Sequence, residues 1–127
     1  MTEAVSTAAY DALIGIGSNT GAKAENVLRA IALLCADGAV RLVARSRLYR
    51  SAPWGILDQD WFVNAAVAVA TDAGAHELLK RCLAVEDQMG RVRAVKWGPR
   101  VVDVDVLTYR GQTIDTADLK VPHPFIE

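Results

Sequence analysis

The stretch GRVRAVKWGPRVVDVDVL, residues 90–107, carries two kinds of side chain that chemistry on an anionic substrate requires. Arg91, Arg93, Lys96 and Arg100 fall within ten residues with no acidic residue among them, a concentrated trap for anions. Asp103 and Asp105 follow. Side chains alternate along a strand, so both carboxylates point to one face with Cα atoms about 6.6 Å apart, while Val102, Val104 and Val106 take the other. Asp is disfavoured in strands and like charges on one face repel, so the pair calls for a cation. Mg²⁺ suits it, being a hard ion that takes one or two carboxylates together with substrate phosphate oxygens. A phosphate chain held between that ion and the guanidinium groups accounts for both halves of the stretch with one ligand. Read separately, the same residues also fit an ordinary strand face, with Asp103 and Asp105 paired to Arg100 or Arg47, and a solvated basic loop. Trp97 is either an anchor or a flat surface for a heterocycle.

Three further positions invite a chemical reading. GIGSNTG, residues 15–21, sits at a strand-to-helix turn, where helix-terminal amides commonly meet phosphate. Its spacing fits neither the dinucleotide-binding nor the Walker fingerprint, so it reads as a turn first and a ligand loop second. His123 stands between Pro122 and Pro124 and is either a surface histidine or a phosphate donor. Glu86 lies one helical turn before Gly90, either as a polar anchor for an adenine or a loop, or as a plain solvent-facing glutamate.

The elements that must position these residues follow from periodicity. Residues 12–17 form the first strand, and residues 25–37 a helix with Val27, Ile31 and Leu34 on one face. Gly38 caps it, and residues 40–49 read as one half-buried strand with Val40, Leu42, Ala44 and Leu48 on one face and Arg41, Arg45 and Arg47 opposite. Residues 62–70, short of charge on both sides, are expected at the centre of the sheet. A second helix spans 75–89 with Leu78, Cys82, Val85 and Met89 as its apolar stripe, ended by Gly90. Residues 101–109 make a fourth strand, followed by a short hairpin about Gly111 leading to residues 119–124. The order β-α-β-β-α-β predicts an α+β fold of ferredoxin-like type, an antiparallel sheet with two helices on one face.

Size and charge narrow the function classes. With 127 residues the chain is expected to form a single domain, 1–127, around one core. Fourteen Lys and Arg against fifteen Asp and Glu leave a net charge of −1, which argues against nucleic-acid or membrane binding through bulk charge and makes any charge-based function local. Cys35 and Cys82 lie far apart within apolar helical patterns and read as reduced, buried thiols. No signal peptide and no apolar run of spanning length is visible, so a cytoplasmic location is expected.

Taken together the residues resemble the 6-hydroxymethyl-7,8-dihydropterin pyrophosphokinases of folate biosynthesis. The likeness runs through GSNTG, Tyr49-Arg50-Ser51-Ala52-Pro53-Trp54-Gly55, Gln59, Phe62-Val63-Asn64-Ala65-Ala66, the stretch from Glu86 to Arg93, and KWGPRVVDVDVL followed by Pro-His-Pro. The resemblance implies transfer of the terminal diphosphate of ATP to a pterin hydroxymethyl oxygen with release of AMP, supported by two Mg²⁺ ions. It implies that Asp103 and Asp105 hold both ions and that Arg91 and Arg93 lie on a loop closing over ATP. Arg100 and His123 would contact phosphates, and Glu86 and Val106 the ATP side. Ser51, Ala52, Trp54, Gly55, Phe62 and Asn64 would line the pterin pocket, with Phe62 stacking on the ring, Asn64 reading its polar edge and Trp97 shaping both pockets. The partners are then ATP and the pterin, with no nucleic acid and no membrane, in a monomer or weak homodimer. Family members continue past Pro-His-Pro with a further arginine, a second pterin-flanking aromatic and a last strand; the sequence is then either a piece of a longer one or a short form in which Trp54, Trp61 or Phe125 takes the place of that aromatic. The alternative is a nucleotide-binding module of the same fold with little or no turnover.

Overall fold

The computed structural model describes residues 10–52, 61–90 and 101–124. Along the chain these form β1 (Ala12–Ser18), α1 (Lys23–Leu34), β2 (Val40–Arg45), β3 (Tyr49–Ser51), β4 (Phe62–Thr71), α2 (Ala75–Gln88), β5 (Asp103–Tyr109), β6 (Ile114–Asp115) and β7 (Lys120–Val121). β1 and β4 lie side by side at the centre, β5 pairs with the far side of β1, and β2 and β3 both pair with β4. Every pairing is antiparallel, in the order β2-β4-β1-β5. With both helices against one face this is the expected ferredoxin-like α+β arrangement.

Periodicity explains the packing. On α1, Val27, Ala30, Ile31 and Leu34 recur at helical spacing and are buried, and on α2 Leu78, Cys82 and Val85 are buried in the same way. They cover Ala12, Ile14 and Ile16 of β1, Ala65, Val67 and Val69 of β4, and Val104 and Val106 of β5, every second residue of each strand. Gly90, at φ 95°, ends α2 as expected. No helix among the described residues is long and apolar enough to cross a membrane.

Four expectations need correction. The first helix stops at Leu34 rather than 37, because the chain tightens there: the N–H of Ala36 reaches Leu33 O and that of Gly38 reaches Cys35 O, three residues back instead of four. The single strand over 40–49 is two strands. Its pairing with β4 slips between Leu42 and Ala44, where a bulge inserts an extra residue and breaks the alternation of faces. β2 is also not half-buried beyond Val40, because α1 packs on β1 and β4 and α2 on β5, leaving Leu42 46% exposed at the sheet's edge. Finally, a turn does fall at Arg110 and Gly111, both at positive φ, but the chain leaving it does not pair back along β5. Residues 114–115 and 120–121 form a separate two-stranded ribbon instead.

Candidate active site

The face of the sheet turned away from the helices holds the acidic pair. Residues directly opposite each other in an antiparallel ladder share a face, so the register places Asp103, Gly17, Asn64 and Tyr49 in one row across four strands. The next row carries Asp105, Gly15 and Ala66. Asp103 is half-buried and Asp105 exposed, and Val102, Val104 and Val106 are buried on the helical side as the alternation required.

Two glycines lie between the carboxylates and the amide. A Cβ on Gly17 would stand 2.6 Å from Asn64 Oδ1 and 3.4 Å from Phe62 Cδ2, so the missing side chain is what lets Asn64 and Phe62 fold over β1. At Gly15 the same space is taken by the Leu107 side chain, 3.3 Å from where a Cβ would be. Asn64 is held from its other side: its Nδ2 donates to Ser51 Oγ at 2.7 Å, which fixes the plane of the amide. Ser51, Phe62 and Asn64 are half-buried and Ala52 is exposed. An acidic pair, a hydrogen-bonding amide and an aromatic ring thus converge on one open face.

The GSNTG segment is held as a turn by its own side chains. Ser18 is buried; its Oγ donates to Val101 O at 2.6 Å and accepts from Asn26 Nδ2 at 3.2 Å, while Asn26 also donates to Thr20 O at 2.8 Å. The turn therefore ties the end of β1 and the start of α1 to the chain entering β5.

Glu86 is 3% exposed, which overturns the solvent-facing alternative. Its Oε2 accepts the N–H of Val104 at 2.8 Å, on the edge of β5 that has no partner strand among the described residues. Cys82, one turn earlier on α2, is pushed up to about 12 by burial, then by the negative charges of Glu86 and Asp105.

A cleft of about 250 Å³ opens along that edge, lined by Asp105, Val106 and His123 together with Leu79, Leu119 and Lys120. His123 is half-buried, and its N–H donates to Leu107 O at 2.8 Å, which lays the Pro-His-Pro segment beside β5. Asp105 thus belongs both to the open face and to the cleft. The sequence reading missed the wall at residues 117–120. Its signal was there: Thr116 accepts from the N–H of Leu119 at 3.2 Å and donates toward Asp118 Oδ1 at 2.9 Å, the habit of a Thr-x-Asp turn.

The structure therefore brings Asp103, Asp105, Ser51, Phe62 and Asn64 to one face, sets Val106 and His123 with Asp105 in a cleft, and puts Glu86 behind the strand. The expectations placed on Trp54, Gly55, Arg91, Arg93, Trp97 and Arg100 lie outside the described residues.

Comparison with known proteins agrees with this geometry. Residues 13–127 match the family of 7,8-dihydro-6-hydroxymethylpterin-pyrophosphokinase (HPPK). A 2-amino-4-hydroxy-6-hydroxymethyldihydropteridine pyrophosphokinase of Methylorubrum extorquens is 50% identical over 115 residues, covering 91% of this chain and 73% of the relative. The protein of that name from Bacillus subtilis is 40% identical over 113 residues, 89% of this chain and 68% of its own length, and that from Aquifex aeolicus 39% identical over 114 residues, 90% and 70%. A match over nearly the whole chain, with the acidic pair, the amide and the Pro-His-Pro segment converging as described, makes this chain a member of the HPPK family.

Proposed function

We propose that this chain transfers the terminal diphosphate of ATP to the hydroxymethyl oxygen of 6-hydroxymethyl-7,8-dihydropterin, yielding AMP and the pterin diphosphate for folate biosynthesis. The hydroxyl oxygen forms a bond to the β-phosphorus, the bond from that phosphorus to the oxygen bridging it to the α-phosphate breaks, AMP leaves with the electron pair, and the hydroxyl proton is released. The observation that carries this reading is the row Asp103, Gly17, Asn64, in which a carboxylate and an amide stand on strands about 10 Å apart, with a residue lacking a side chain of its own between them. That span suits a hydroxymethyl group reaching from a ring at Asn64 to a phosphorus near Asp103.

The donor set fits Mg²⁺. Two carboxylates on one face supply hard oxygen ligands and leave the rest of an octahedral shell to water and phosphate. Bound there by Asp103 and Asp105, the two ions expected would neutralise charge on the triphosphate. In this reading Asn64, oriented by Ser51, recognises the polar edge of the pterin, and Phe62 stacks on its ring beside Ala52. His123 and Val106 face the nucleotide in the cleft. In-line displacement of this kind depends on positioning and charge neutralisation more than on a protein base. Arg91, Arg93 and Arg100 are proposed to contact the phosphates, with Trp54, Gly55 and Trp97 closing the pterin side. We place the reaction in the cytoplasm, where both polar substrates are dissolved.

The test is chromatographic detection of AMP from ATP with purified protein. AMP is expected only when Mg²⁺ and the hydroxymethyl pterin are both present. No AMP at high enzyme concentration, or equal AMP without the pterin, overturns the proposal.

A further inference from the structure

β5 is the strand that must aim the two carboxylates. Among the described residues it pairs on one side only, with β1, and its ladder begins at Asp103 itself. A slip of one residue would turn both aspartates under the helices and the valines outward. Two buried side chains from elsewhere in the fold grip the main chain on either side of Asp103. Ser18, 1% exposed, donates to the carbonyl of Val101 at 2.6 Å, and Glu86, 3% exposed, accepts from the N–H of Val104 at 2.8 Å. The Val104 N–H belongs to the peptide unit that joins Asp103 to Val104, so Glu86 fixes the peptide plane from which the acidic pair projects.

Packing alone does not account for Glu86. A carboxylate taken out of water is costly, and an apolar side chain would fill the same place against Val104 and Cys82 more favourably. What an apolar side chain lacks is an acceptor for an edge N–H.

We infer that Ser18 and Glu86 are positioning residues of the metal site, clamping β5 from its two sides so that Asp103 and Asp105 hold a divalent ion. The inference rests on the metal-holding role proposed above for the aspartates. Ligand-orienting partners of this kind typically change metal affinity or activity by about 10–100-fold when removed.

The experiment uses Mn²⁺ as probe, its binding followed by electron paramagnetic resonance with a non-hydrolysable ATP analogue present. S18A and E86L are expected to weaken Mn²⁺ binding by about 10–100-fold, and E86Q by much less, because its amide oxygen still accepts from Val104. Folded S18A and E86L proteins with the parent's Mn²⁺ affinity overturn the inference, as does an E86Q loss equal to that of E86L. Should E86L not fold, amide exchange in the parent decides: a Val104 N–H that exchanges only on global unfolding supports the clamp, and one that exchanges as freely as a surface amide overturns it. If the parent binds no Mn²⁺, the metal role of the aspartates fails, and the clamp is judged by Val104 exchange alone, which must accelerate in S18A.

Discussion

Asp103 and Asn64 lie opposite each other across Gly17, the carboxylate on one neighbouring strand and the amide on the other, and residue 17 puts no side chain of its own between them. Asn64 Oδ1 stands only 2.6 Å from where a Cβ of Gly17 would be. The amide can therefore approach β1 only because residue 17 is glycine, and the distance from amide to acidic pair is fixed by the sheet.

Gly17→Ala is expected to push Asn64 and Phe62 outward while leaving the acidic pair in register. Displacing a recognition group by about an ångström costs up to about 100-fold in rate, so the Michaelis constant for the pterin or kcat/KM should worsen by about 10–100-fold. Mn²⁺ binding with an ATP analogue should stay as in the parent. Steady-state kinetics with varied pterin, beside the Mn²⁺ titration, check this; a uniform loss in both would show that the glycine serves the whole sheet rather than the pterin side.

The architecture was legible in the sequence where a single face decides burial. Val27, Ile31 and Leu34, or Leu78, Cys82 and Val85, cannot be buried together except on a helix, and Asp103 and Asp105 cannot share a face except on a strand. What escaped notice depends on contacts distant along the chain. Nothing near Val43 marks the bulge, which arises from how β2 meets Ala68 and Val69. Glu86 is of a type usual on a helix surface, and its bond to the Val104 N–H, 18 residues on, is not visible from its neighbours in the chain. Ser18 reads as a turn serine because its partner, Val101, is 83 residues away. Within the site, the acidic pair and Asn64 could be read singly; their opposition across Gly17 needed the register.

Three carboxylates make stability depend on acid pH in a defined direction. Asp37 is held below its ordinary 3.8 by the N–H of Ala39 and then by Arg81, Asp115 by Lys120, and Asp118 first by the Thr116 hydroxyl. A lowered folded-state value means that the unfolded chain binds protons more readily, so the stabilisation is present above the ordinary carboxylate value and is lost as pH falls through the folded one. The urea midpoint of the parent should drop as pH falls below the ordinary carboxylate value, and a D37N/D115N/D118N variant should show a shallower drop. Parallel curves for the two proteins would contradict the assignment. All three groups are at the surface, so salt should reduce the difference.

The two thiols should differ in reactivity. Cys82 is fully buried and pushed up to about 12, so only about one part in 10⁴ is thiolate at pH 8, and no reagent reaches it in the folded protein. Cys35, at the end of α1, is also raised by burial but is half-exposed. Native protein treated with an aromatic disulfide reagent at pH 8 should react slowly at Cys35 alone, with Cys82 released only in urea. C35S should abolish the native phase. Modification of Cys82 in the folded state, located by mass spectrometry, would mean that α2 lifts from β5 far more readily than its packing implies.

Asp105→Ala separates the metal role of the acidic pair from a structural one. Asp105 is exposed on the open face, and its neighbours Val104 and Val106 carry the packing, so the thermal midpoint should barely move. Diphosphate transfer, in contrast, should fall by at least two to three orders of magnitude, the scale on which loss of one preorganised electrostatic contact to a transition state is felt. Binding of the ATP analogue without metal should be unchanged, because a carboxylate has no favourable contact with phosphate unless a cation lies between them. Asp103→Ala should show the same kinetic loss with a larger thermal shift, since Asp103 is half-buried beside Gly17. An Asp105→Ala protein that keeps most of its transfer rate would remove Asp105 from the metal site.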